Sequence, residues 1–170
     1  MSTRDPGHRD DVDAIIEQWA RERPDLETPA MEVFGRIYRL ARGMGERTEK
    51  EYAAFGVSRG EFDVLATLRR SGEPFTLSPR ELSATLMLTT GGMTGRLDKL
   101  ERAGLLTRSP DPTDRRALRV SLTERGLSVV NEAVAAGLAA QARVLTDALD
   151  ERRTAELAGL LRDLLASLER

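Results

Sequence analysis

The chain has no cysteine, one histidine and few aromatic residues, and each shortage excludes something. Without cysteine there is no disulfide, no thiol nucleophile and no thiol-based redox sensor. His8 lies in a polar N-terminal stretch, so a zinc centre of the usual His/Cys type cannot be assembled, and no metal is expected. No run approaches the roughly 18 consecutive apolar residues that a membrane span needs, and the start lacks a basic-then-apolar leader. A cytoplasmic chain with no membrane partner is expected. Lysine is scarce too: Lys50 and Lys99 are the two lysines among 26 basic residues. That bias fits G+C-rich coding in a bacterium and need not mean phosphate binding. With no nucleophile–base set and no phosphate loop, neither catalysis nor a cofactor is expected.

What is present is helical. The 170 residues suffice for one well-formed domain, or for one small domain with helical extensions, and the 32% charged content fits long exposed helices. Residues 1–9 read as a disordered tail. A helix is expected over 10–23, with Val12, Ile15, Ile16 and Trp19 at helical spacing. Thr28 and Pro29 open a longer helix to about Ala54, stopped by Gly56. Ser58 caps the next, with SRGE in capping-box form, and SPRE at Ser78 repeats the device. Leu82, Leu86 and Met87 are expected to point inward. Thr89 or Thr90 opens a helix with an apolar stripe of Met93, Leu97 and Leu100, ended by Gly104. Residues 105–109 and 117–122 alternate as strands around a DPTD turn. Thr123 caps a long helix to about Thr146, although TERG puts Gly126 at its third position. Asp150 starts a last helix with Leu157, Leu160, Leu161, Leu164, Leu165 and Leu168 on one side.

Helix, turn, helix with a small-residue start, then an arginine-tipped ribbon is the order of a winged helix-turn-helix. The net charge of −2 hides a local basic footprint: residues 78–121 hold eight basic residues against five acidic ones, an excess of +3. TTGGMT suits a recognition helix. Threonines can bond base edges and touch thymine methyls, and glycines let the backbone come close to phosphate. Arg115 and Arg116 at the ribbon tip are in position to enter a minor groove or clamp phosphates, and Asp111 and Asp114 are expected to orient them. The candidate DNA contacts are Ser78, Thr89, Thr90, Gly91, Gly92, Thr94, Lys99, Arg115 and Arg116. The expected fold is mainly α, a winged helix-turn-helix over 58–122. Helices over 10–57 and 123–170 would form a dimerisation region, the former also walling a ligand pocket. A monomer whose terminal helices fold back on the core is the alternative.

The stretch LSPRELSATLMLTTGGMTGRLDKLERAGLLTRSPDPTDRRALRVSLTERG resembles the MarR-type transcriptional regulators, including the DPTDRR wing tip and the LTERG opening of the long helix. The resemblance covers about residues 29–168. It implies a homodimer binding double-stranded DNA at a palindromic operator. The additional N-terminal helix departs from many members of the family.

That extra helix is similar to the urate-responsive branch, which the resemblance credits with a Trp, Asp, Arg, Arg quartet. The matching residues here are Trp19, Asp63, Arg96 and Arg108. The implied ligand is a small anion such as urate, whose planar charged ring suits an indole face and guanidinium donors. With 100° per residue, Arg96 falls about 60° from the centre of the buried helix face, toward the protein body. Singly, Trp19 reads as a packing anchor, Asp63 as a surface carboxylate, Arg96 as a phosphate clamp and Arg108 as a strand-edge charge. A regulator answering to a phenolic acid, another purine or a tricarboxylate, or one with no ligand, stays open.

Overall fold

The computed structural model describes residues 9–87, 90–112, 114 and 117–168, and the side chain of Thr90 is outside that description. The chain divides into two compact units, Met1–Thr48 and Glu49–Arg170.

In the first unit, Asp10 caps α1 (Asp11–Glu22) in a capping box with Asp13. The long α2 (Pro29–Ala53) follows, its residues from Glu49 on belonging to the second unit. Arg36 ties the two helices together, donating from Nε to Asp10 Oδ2 at 2.8 Å and from Nη2 to Asp13 Oδ1 at 2.6 Å. Val12 is the one buried residue of α1 and packs at Gly35, where a Cβ would meet its Cγ1 at 3.0 Å. Ile15 and Trp19 remain exposed.

The second unit carries the core. Gly56 (φ +74) ends the turn after α2 in the left-handed region that glycine adopts freely. Both serine boxes form as their sequences require: Ser58 opens α3 (Arg59–Arg70) and Ser78 opens α4 (Pro79–Leu86). Then come α5 (Thr90–Arg102), β2 (Leu106–Pro110), β3 (Leu118–Leu122), α6 (Glu124–Ala148) and α7 (Glu151–Leu168). Leu65 and Leu68 of α3, Leu82 of α4, Met93 and Leu100 of α5, Leu106, Val120 and Val130 are sealed from solvent. Burying each such side chain contributes about 1.5–3 kcal/mol. No described helix is long and apolar enough to cross a membrane.

Two expectations are corrected. The ribbon has a third strand, β1 (Thr76–Leu77), giving the antiparallel order β1-β3-β2 with Thr76 opposite Ser121. The two hydroxyls of that pair lie 2.7 Å apart. Met87 does not point inward. It ends α4 in the left-handed conformation (φ 51) and is 94% exposed, because that backbone turn swings its side chain off the helix's apolar face.

The Ser78 box makes a pH prediction. The Glu81 carboxyl accepts the Ser78 N–H and hydroxyl at 2.7 and 2.8 Å, and these bonds, the backbone one first, hold it below the usual carboxylate range. A carboxyl lowered on folding stabilises above its unfolded value and loses that contribution as pH falls through its folded value. Thermal melts of Glu81→Gln are therefore expected to show a smaller loss between pH 7 and pH 3 than wild type. Equal losses would remove Glu81 as a contributor.

Candidate nucleic-acid interface and ligand pocket

The apolar stripe of α5 anchors it: Met93, Leu97 and Leu100 are 1–2% exposed. The opposite side therefore faces out. Gly91, Gly92, Thr94 and Gly95 are exposed, and a Cβ on Gly91 or Gly95 would meet none of the described residues within 4 Å. Thr89, Arg115 and Arg116 lie outside the described residues.

Two other candidate contacts are committed elsewhere in the protein. The Ser78 hydroxyl serves the α4 cap, accepting the Glu81 N–H at 3.2 Å. Lys99 leans back to Glu61, with 3.6 Å between the charged atoms, while keeping most of its surface in solvent. Burial disfavours the Glu61 carboxylate, but the Ser58 cap bonds and Lys99 outweigh it, leaving the group lowered.

The ribbon is held where its turn begins. The Asp111 N–H donates to Ala117 O at 2.9 Å, and Asp111 Oδ1 accepts the Asp114 N–H at 3.3 Å. Asp111 Oδ2 also accepts from Arg119 Nε at 2.7 Å. Asp111 thus has a partner on β3 that its sequence neighbours did not suggest.

The quartet is distributed. Trp19 belongs to the first unit, where it is 41% exposed. Asp63, on α3, lines a cavity of about 290 Å³ with Tyr52, Phe62, Arg70, Leu138 and Gln141. Tyr52 and Phe62 stack at 3.8 Å, and burial, then the Asp63 charge, raises the Tyr52 hydroxyl pKa. Arg96 leaves the outward face of α5 and lies over the start of α3, donating from Nη1 to Gly60 O at 3.3 Å. Arg108 is gripped by Glu101 and Asp98. Among the described residues, no ion pair joins Asp63 to Arg96 or Arg108, and no group of His, Cys, Asp or Glu is placed to hold a metal.

Gly60, Glu101 and Asp98 escaped the sequence reading. A Cβ on Gly60 would lie 2.6 Å from Arg96 Cζ, so the glycine makes the seat for that guanidinium. The available signal was a glycine inside a helix, which costs about 1 kcal/mol against alanine and so needs a packing reason.

A helix-turn-helix whose second helix turns a small-residue face outward beside a three-stranded wing defines a DNA-binding transcription regulator, not an enzyme. A MarR-family profile matches residues 55–117. The regulator PecS of Dickeya dadantii (strain 3937) is 36% identical over 160 residues, which cover 94% of this chain and 93% of PecS. The chain belongs to the MarR family. AbsC, a MarR family regulator from Streptomyces coelicolor, shares the fold with TM-score 0.71 at 23% identity, over 85% of this chain and 97% of AbsC. A mutant E. coli MarR complexed with operator DNA matches with TM-score 0.69 at 23% identity, over 81% and 96% of the two chains.

Proposed function

We propose that the protein is a cytoplasmic homodimeric repressor that a small anion such as urate releases from a palindromic operator. The observation that carries this reading is Arg96. It sits on the recognition helix, yet its guanidinium rests on α3, the helix whose next turn bears Asp63 and its cavity. A ligand drawing on Arg96 would act directly on the helix that reads DNA, and one held by Asp63 would act on it through α3. Tyr52 and Phe62 line that cavity together with Arg70, whose guanidinium suits an anion. A phenolic acid would suit the same lining. Arg108 reaches such a ligand only by leaving Glu101 and Asp98. Dimerisation through the 10–57 and 123–170 helices is supported by their uncovered apolar side chains, among them Tyr38, Leu40, Leu160, Leu165 and Leu168.

Ligand needs only a higher affinity for the dimer state whose recognition helices do not match successive grooves. The test is fluorescence anisotropy on a labelled duplex from the intergenic region upstream of the gene, titrated with urate at fixed salt. Release of DNA is the expected result, and binding that urate leaves untouched would overturn the urate assignment. Trp19→Ala and Asp63→Ala are expected to keep DNA affinity while shifting the urate titration. An unshifted curve removes that residue from the site. Arg115→Ala is expected to weaken binding to all duplexes and to flatten the salt dependence by about one phosphate contact. Wild-type affinity across several salt concentrations would end that role for the wing.

A further inference from the structure

We propose that Arg108 is a positioning residue for operator binding: from β2 its guanidinium grips Glu101 and Asp98 of α5 together, fixing the wing to the recognition helix without itself touching DNA. The contacts are numerous for one side chain. The Arg108 backbone N–H donates to Glu101 Oε1 at 3.0 Å, and Nε donates to Oε2 at 2.9 Å. Nη2 adds a 2.5 Å bond to the same Oε2 and a 2.7 Å ion pair to Asp98 Oδ1. Asp98 and Glu101 are three residues apart, so they share a helix face, and one planar fork spans both. Arg108 sits mid-strand on β2, opposite Val120, so holding it holds the whole ribbon.

The two carboxylates need such a reason to be where they are. Two acids against one base leave a negative cluster inside the DNA-binding unit, which opposes phosphate. Glu101 also lies in the last turn of α5, where the helix dipole disfavours a negative charge. Stability is a weak explanation, because ion pairs that stay partly in solvent contribute little. Orientation is the better one. The recognition helix and the wing must meet the duplex together, and a forked bond restrains angle as well as distance.

The test uses Glu101→Gln, Arg108→Gln and the double variant in the full chain. The probe is the labelled duplex that wild type selects from a randomised pool, with a scrambled duplex beside it. Each single variant is expected to lower affinity for the selected duplex about tenfold, within the range for residues of one network, and the double no further than Arg108→Gln alone. The slope of log affinity against log salt should stay at its wild-type value, because no phosphate contact is lost. Affinity for the scrambled duplex should fall less, so the ratio narrows. A merely structural pair would lower the melting temperature and leave that ratio unchanged, which overturns the proposal. So would Glu101→Gln binding as tightly as wild type or tighter, the result expected if its charge acted only by repelling DNA. A flatter salt slope in Arg108→Gln would overturn it as well, by making Arg108 a phosphate contact. Should Arg108→Gln fail to fold, Glu101→Gln decides, because its amide oxygen still accepts the Arg108 N–H.

Discussion

Replacing Gly126 by alanine is expected to destabilise the protein by about 3 kcal/mol, at the upper end of the usual overpacking range. The sign is not obvious from propensity. Gly126 lies within α6, where alanine would ordinarily gain about 1 kcal/mol over glycine. The surroundings decide otherwise. A Cβ there would lie 1.8 Å from the Leu105 carbonyl oxygen and 2.8 Å from its carbonyl carbon. These are backbone atoms that cannot rotate away. Leu105 O is also the acceptor for the Thr123 N–H at 3.2 Å, while the Thr123 hydroxyl donates to Gly104 O at 2.8 Å and accepts the Gly126 N–H at 2.9 Å. Backing α6 off by the width of a methyl group would break that junction and unseat Leu105 and Leu106. Urea unfolding checks this through the midpoint at constant slope. A midpoint equal to wild type would mean that the helix start and the strand do not approach this closely.

At Gly95 the same kind of exchange is expected to act in the opposite direction on stability, and strongly on function. Gly95 is helical and exposed, and an added Cβ would meet none of the described residues within 4 Å. Gly95→Ala should therefore stabilise the fold by up to about 1 kcal/mol. Nothing among the described residues explains a glycine there, whereas close approach to a duplex would. Gly95 lies opposite Met93 and Leu97, on the side of α5 turned away from the core. Gly95→Leu should keep or raise the melting temperature while lowering operator affinity by ten- to a hundredfold, roughly the 1–3 kcal/mol that a single mismatched base pair costs. Unaltered operator affinity in Gly95→Leu would mean that another face of α5 reads the groove.

Most of the helices were legible because their signals are local. Ser58 and Ser78 each place a hydroxyl and a glutamate three residues apart, and both boxes close on their own backbone. The Met93, Leu97 and Leu100 stripe needed only the helical period. β1 was not legible, because two residues carry no period and Thr76 acquires its meaning from Ser121, 45 residues later. The inward expectation for Met87 failed because its left-handed backbone depends on how α4 ends, which spacing alone does not reveal. The site followed the same division. The placement of Arg96 toward the protein body came from the helix wheel, and the structure seats it on Gly60. The grip on Arg108 did not, since a mid-strand arginine shows no sign in sequence of which acids of the preceding helix it will meet. Asp111 was read with its neighbours in the turn, and its carboxylate is also held by Arg119, which antiparallel pairing brings back beside it.

Trp19 is the single tryptophan in a chain that has no cysteine. The protein therefore comes with one native indole, which can be excited apart from its two tyrosines, and a blank background for thiol chemistry. Met87, almost wholly solvent-exposed beside the recognition helix, is a natural place to install one thiol. In Met87→Cys carrying an acceptor dye, energy transfer from the indole would track the separation of the extra N-terminal helix and the DNA-reading element. Candidate anions and operator DNA could then be titrated in one cuvette, with each chain labelled at a single site.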